Sequence, residues 1–226
     1  MSRSSPRPKP VEVYLEIGPR RTFACALDWP GWCRSGKTAD AALETLAAYA
    51  ERYAAVTDRA GVAFRAGTAD HLEVVEELSG SAGTDFGVPE RTATADSRRL
   101  TTPEAQDQSA LLRASWDVFA DVVAGAPAEL RKGPRGGGRD RDKIVEHVVL
   151  AEAGYARKLG IRRKPPAIDD TAAIDELRAE IVAVLARPSS GQPLVEKGWL
   201  PRYAARRIAW HVLDHAWEIE DRSDPA

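Results

Sequence analysis

Hydrophobic periodicity changes near residue 100, and this change constrains the fold more than any other feature of the chain. Before that point, apolar residues recur at every second position, as in a strand with one buried face. After it, they recur at every third or fourth position, as in amphipathic helices. The pattern predicts an α+β chain of two domains, a small N-terminal ββαβ(β) domain followed by an all-α four-helix bundle.

The N-terminal domain is predicted over residues 11–80. Its first two apolar segments are separated by the turn-like sequence at residues 18–21, which indicates a hairpin. Thr38 is a candidate N-cap for the helix that follows. The predicted elements, in order, are strands at 11–17 and 23–27, a helix at 38–57, and one or two strands at 62–65 and 72–78.

Residues 81–102 are rich in Gly, Ser, Thr and Asp, which predicts a linker between the two domains. The bundle is predicted over residues 103–222, where four segments of helical periodicity follow one another. Pro103 suits the first turn of a helix, and Gly160 and Pro188 suit helix ends. The four helices are predicted at 103–125, 140–159, 170–187 and 201–222.

Composition and charge argue against several classes of function. The net charge of -2 over 226 residues gives no overall attraction to nucleic acid, so no nucleic-acid partner is expected. No segment approaches the roughly 18 apolar residues that span a bilayer, and residues 1–10 lack the apolar stretch of a secretory signal. Cys25 and Cys33 fit neither a disulfide framework nor a CxxC motif. A cytoplasmic protein without membrane contact is predicted.

Three of the four histidines lie in the predicted bundle. His211 and His215 are four residues apart on the last helix, so both imidazoles project from one face towards the same place. His147 lies at the edge of the inward face of the second helix and would supply a third nitrogen. Three protein ligands leave positions open on a metal ion, as catalytic sites do. The competing interpretation is that these are buried, hydrogen-bonded core histidines.

Other side chains near these histidines are candidates for orienting the imidazoles by hydrogen bonds. The fourth histidine, His71, is predicted at the surface at the start of a strand. The residues predicted to orient the metal ligands are Glu152, Tyr155 and Asp214.

Two segments of the second half resemble a known superfamily. Residues 144–155, IVEHVVLAEAGY, and residues 210–215, WHVLDH, are similar to the DinB-like four-helix bundles, over roughly residues 103–222. That superfamily includes metal-dependent hydrolases, mycothiol-dependent maleylpyruvate isomerase and bacillithiol S-transferases. The resemblance implies a zinc or nickel ion on His147, His211 and His215, and activation of a small thiol. DinB-like bundles often pair, so a homodimer is also expected.

The first half resembles a different family, the HicB-like antitoxin fold. The resemblance lies in residues 23–38, FACALDWPGWCRSGKT, leading into residues 41–43, and extends over about residues 11–78. Family antitoxins carry a DNA-binding element after this fold, whereas here the predicted bundle follows. We therefore interpret this half as a binding or packing module.

A basic, Gly-rich tract at residues 131–141 precedes the second helix of the bundle. Guanidinium groups beside a helix N-terminus suit an anionic substrate or a thiol carboxylate. The alternative interpretation is a solvated loop between helices. The candidate anion-binding residues are Arg135, Arg139 and Arg141.

The preferred functional hypothesis is a metal-dependent thiol S-transferase or hydrolase that acts on a small molecule, with no catalytic residue assigned beyond the metal ligands. Arginine far outnumbers lysine, which is typical of a GC-rich genome, and mycothiol is the thiol expected for an actinobacterial source. The alternative hypothesis is a non-catalytic module in which the HicB-like half binds a partner protein.

Overall fold

The structure is a computed structural model that describes residues 10–64, 67–133 and 137–223. These ranges contain a four-stranded sheet followed mainly by helices, so the predicted α+β class is confirmed. The strands are β1 (Val11–Ile17), β2 (Thr22–Ala26), β3 (Cys33–Gly36) and β4 (Leu72–Ser79). The helices are α1 (Ala39–Ala48), α2 (Ala50–Ala60), α3 (Ala82–Phe86), α4 (Thr102–Gly125), α5 (Arg141–Lys158), α6 (Thr171–Leu185) and α7 (Pro201–Ser223).

The sheet has the strand order β3-β2-β1-β4. Antiparallel pairing joins β1 to β2, as the predicted hairpin requires, and β2 to β3, whereas β4 lies parallel to β1. Every residue of β2 is buried, because α1 and α2 pack on one face of the sheet and the segment after α3 covers the other. This central position makes β2 the most enclosed strand of the sheet.

The predicted ββαβ(β) order is corrected by the structure. β3 was not expected, because Cys33–Gly36 shows no apolar alternation and owes its extended form to pairing with β2. The predicted helix at 38–57 is two helices that meet at Tyr49, although Thr38 does cap α1 by accepting a hydrogen bond from the amide of Ala41. In the predicted strand at 62–65, residues 62–64 form no strand and Arg65 lies outside the described residues.

β4 occupies one edge of the described sheet. Its side chains are half-buried or exposed, and Val74 and Val75 are among the exposed ones. The same strand carries three glutamates. They are Glu73, Glu76 and Glu77.

The predicted linker at 81–102 is instead a folded segment that packs on the sheet. It contains α3 and a 3-10 turn at Thr94–Ser97, and it buries Ala93, Ala95 and Leu100. The buried carboxylate of Glu16 on β1 accepts hydrogen bonds from the Thr84 hydroxyl and from two amides of this segment. Its Ser, Thr and Asp residues form helix caps and turns, which explains a composition that resembles a linker.

Four long helices make up the second half, with ends within two residues of the predicted ends. Both α4 and α5 pack against α6 and α7. Their shared core is apolar and fully or nearly fully buried. It includes Leu112, Ile144, Val148, Leu177, Ile181, Ile208 and Val212. Among the described residues, no helix combines the length and apolar character that crossing a membrane requires.

The sheet and the long helices share a core on one side of α7. Leu213 and Trp217 pack into the cluster that contains Trp32 and Tyr53 from the N-terminal half. The turn before β3 approaches α7 so closely that Gly31, with a φ of 92°, leaves no room for a side chain. α7 therefore contacts the N-terminal half on one side and other long helices on another, and α4 also reaches the N-terminal half through Leu111 and Ala114.

Candidate metal centre

Three imidazoles converge between α5 and α7. His211 and His215 lie one turn apart on α7, and His147 reaches them from α5. The three ring centroids form a nearly equilateral triangle with sides of 5.0, 4.9 and 4.8 Å. Their candidate ligand nitrogens all lie within 4.8 Å of one another, as no other group of three or more His, Cys, Asp or Glu residues does within the described part of the chain. The predicted cluster is thus brought together.

Burial favours the neutral form of two of these imidazoles. Desolvation lowers the pKa of His211 well below 6.5, and the charges of His215 and Arg207 lower it further. The pKa of His147 is also lowered, mainly by burial and then by His215 and Arg139. A neutral imidazole has a lone pair to offer a metal ion, so both shifts favour ligation near neutral pH.

The spacing of two of the nitrogens fits a divalent ion. The Nε2 atoms of His147 and His211 are 3.1 Å apart. Two nitrogens bound to a tetrahedral zinc at about 2.1 Å keep roughly 3.4 Å between them, so this spacing needs little adjustment. Nδ1 of His211 is buried and has no hydrogen-bond partner among the described residues.

Glu218 is a functional candidate that the sequence reasoning missed. Its Oε2 lies 2.9 Å from Nδ1 of His215, which leaves Nε2 of that ring free to bind an ion. Burial opposes ionisation of Glu218, but its hydrogen bonds with His215 and Arg222 outweigh burial and lower its pKa. A carboxylate on the far nitrogen of a ligand histidine is a common support for a metal site. The i, i+3 spacing from His215 was the available signal.

Of the three residues predicted to orient the imidazoles, Tyr155 is the one in contact with a histidine. Its ring meets His211 edge-on, with 5.5 Å between centroids. Glu152 is buried and accepts hydrogen bonds from Trp116 and Arg178 instead, because a step of five residues turns it about 140° away from His147.

Asp214 also contacts a different partner from the one predicted. Its carboxylate pairs with Arg34 of β3 at 3.0 Å. One residue along a helix is a rotation of about 100°, so Asp214 points away from the direction of its neighbour His215. This acid therefore ties α7 to the sheet.

The three arginines predicted to bind anions differ in position. Arg135 lies outside the described residues. Arg139 shares a surface pocket of about 410 Å³ with His147 and Lys143, and its charge acts on both His147 and His211. Arg141 bonds Asp142 and the carbonyl of Ala126, away from that pocket. Arg139 is thus the predicted arginine that lies beside the histidines.

Arg207 is a second cation near the cluster that the sequence reasoning did not identify. Its guanidinium lies over the rings of Tyr155 and Trp210, at 5.3 and 4.6 Å from their centroids. Its Nη1 atom is buried and has no hydrogen-bond partner among the described residues. The position one helical turn before His211 was a signal for it.

Comparisons with known proteins add no further lead. No protein-family model, no curated protein and no solved structure matches this chain. The three histidines and their surroundings are therefore the basis for proposing a function.

Proposed function

We propose that this chain is a metal-dependent enzyme in which His147, His211 and His215 hold one divalent ion, zinc or nickel. The proposal depends on one observation, the convergence of three imidazoles whose ligand nitrogens lie within 4.8 Å of one another. Two of the three histidines are only half-buried, so the cluster can be reached from outside the protein. Three ligands and an accessible side are features of catalytic sites.

The proposed architecture around the ion is a four-helix bundle of the DinB-like type formed by α4 to α7. The packing of α4 and α5 against both α6 and α7 supports it. So does the distribution of the histidines, one on the second and two on the fourth of these helices. The expected homodimer belongs to the same proposal, and sedimentation analysis tests it.

The proposed reaction is transfer of a small thiol, mycothiol or a similar compound, to an electrophile, or hydrolysis at the same site. When bound, the ion lowers the pKa of a thiol or water in its open position, to about 7 for water. Glu218 would fix the ring of His215 so that Nε2 faces the ion. The charges of Arg139 and Arg207 would attract an anionic substrate or the carboxylate of the thiol.

Elemental analysis tests the proposal first. Protein purified without an affinity tag or chelator would be compared with variants in which His147, His211 and His215 are each replaced by Ala. His71→Ala is the matched control, since this exposed histidine is outside the cluster. We expect about one zinc or nickel per chain in the wild type and the control, and loss of the ion in the three site variants.

Activity is then tested on the metal-loaded protein with small thiols and electrophiles. Turnover that disappears in the His211→Ala variant would support a transferase, and thiol-independent cleavage would support a hydrolase. If the wild type takes up no ion even with zinc or nickel added, the proposal fails. The histidines would then be core groups, and co-purification of a partner protein would test the interaction-module hypothesis instead.

A further inference from the structure

Cys25 on β2 and Cys33 on β3 lie directly opposite each other in the sheet. Their Sγ atoms are 2.7 Å apart, and both residues are buried. The amide of Ala26 donates to the carbonyl of Trp32, so the next pair along is a hydrogen-bonded pair. The cysteines therefore occupy a non-hydrogen-bonded position, where facing Cα atoms approach to about 4.5 Å.

This spacing suits a covalent bond between the sulfurs better than a shared metal ion. Two thiolates on one zinc, each at about 2.3 Å, would keep their sulfurs roughly 3.7 Å apart. A disulfide needs a Cα separation of about 4.4–6.8 Å, which the facing position satisfies. The eight-residue spacing that fits no disulfide pattern in the sequence is thus brought into bonding range by the β2–β3 pairing.

The surroundings of the two sulfurs limit the size of the oxidant that can reach them. They line a cavity with Tyr14, Arg206 and Trp210 that has about 10 Å³ of room for a water-sized molecule. This is about the space of one water, so a bulky disulfide reagent is excluded from the folded protein. Burial also raises the pKa of the Cys33 thiol, which slows its reactions as a nucleophile.

We propose that Cys25 and Cys33 form an oxidation site that hydrogen peroxide converts into a disulfide between β2 and β3. One sulfur attacks a peroxide oxygen, the O–O bond breaks, and the leaving oxygen departs as water with the thiol proton, which leaves a sulfenic acid. The second sulfur then attacks the first, an S–S bond forms, and the S–O bond breaks to release a second water. Two thiols are oxidised and one peroxide is reduced.

The disulfide would enclose the turn that contacts α7. Gly31, within that turn, lies against Leu213 and Ala209 of α7, and Trp32 follows it in the core. Closing this short loop restricts the unfolded chain, so we expect the unfolding equilibrium constant of the oxidised protein to be roughly tenfold to a hundredfold lower. The two cysteines are not part of the proposed metal centre, although Arg207 borders both sites.

Mass spectrometry of the wild-type protein tests the inference. The native protein would be exposed to a small excess of hydrogen peroxide, quenched with catalase, unfolded and treated with iodoacetamide. We expect a monomer that is lighter by two hydrogens, carries no alkyl group, and yields one peptide cross-linked between Cys25 and Cys33. Dithiothreitol should restore two alkylation sites and the original unfolding curve.

Other outcomes overturn the proposal. These are two alkylated thiols after prolonged exposure, a bridge between two chains, or oxidation to a sulfinic acid without a cross-link. An oxidised protein that unfolds as easily as the reduced one would refute the expected stabilisation by the disulfide. The Cys33→Ser variant is the matched control, since it retains Cys25 but should stop at the sulfenic acid. The wild-type result stands even if that variant folds poorly.

Discussion

Buried polar side chains on the two sides of α7 have different kinds of partner. On the side that faces the sheet, the buried guanidinium of Arg206 pairs with both carboxylate oxygens of Asp96. On the side that faces α5, His211 is equally buried, yet its Nε2 lies beside another imidazole and its Nδ1 has no partner among the described residues. The charge of Arg206 is matched by that of Asp96, although its Nε also has no hydrogen-bond partner among the described residues, whereas the facing imidazoles have no counter-charge beside them. Buried polar side chains of one helix can therefore stabilise the fold on one side and be suited to bind a ligand on the other.

The largest effect on stability is expected from removing the partner of Arg206 on the side of α7 that faces the sheet. Asp96→Ala leaves Arg206 buried without a counterion, and we expect the free energy of unfolding to fall by about 3–5 kcal/mol. Urea denaturation measures this. Asp214→Ala is the control, because that carboxylate is 37% exposed and its loss should cost at most about 1 kcal/mol. Equal losses in the two variants would show that the ion pair of Asp96 contributes no more to the free energy of unfolding than a surface ion pair does.

A glycine substitution on the same side should have the next largest effect. Gly31→Ala puts a Cβ 2.5 Å from Cδ1 of Leu213 at a φ of 92°. We expect a loss of about 2–4 kcal/mol in the free energy of unfolding, from backbone strain and overpacking together. Gly61→Ala has a similar positive φ but an added Cβ meets nothing within 4 Å, so it isolates the strain. A loss as small as that of Gly61→Ala would mean that the contact with α7 is loose.

On the side of α7 that faces α5, one substitution should affect metal binding more than folding. Glu218→Gln weakens the support of His215, and we expect zinc affinity to fall about tenfold to a hundredfold. Competition with a chromophoric chelator measures the affinity. Glu220→Gln is the control, because Glu220 pairs with Arg52 instead. Unchanged affinity in Glu218→Gln would remove Glu218 from the proposed centre.

The smallest effect should appear as a pH dependence in the metal-free protein. The pKa of His211 is below 6.5 in the folded state, so the unfolded chain takes up the proton first as pH falls. Stability is then lost below pH 6.5, by up to about 1.4 kcal/mol per pH unit for this one group. Urea denaturation between pH 6.5 and 5.5, in the presence of a chelator, should show a shallower dependence in His211→Gln than in the wild type. His71→Gln should leave the slope unchanged, and a flat wild-type profile would contradict the shift.

The parts of the fold that the sequence predicted are those with a local signal. The ends of α4 to α7 follow from period 3.6 and from Pro and Gly positions, and the convergence of His211 and His215 follows from their one-turn spacing. β3 could not be predicted, since its extended form depends on pairing with β2 rather than on its own side chains. The partners of Glu152 and Asp214 depend on which elements surround the helices, and helical spacing alone does not supply that information.

The acidic edge of the sheet has a consequence for how the protein behaves at high concentration. An edge strand with exposed valines is a template on which a strand of another molecule could add. Because β4 carries the exposed Glu73 and Glu77, such an addition would bring like charges together. These glutamates therefore act as gatekeepers against aggregation, and they keep a strand that is exposed by the topology from becoming a seed for fibrils.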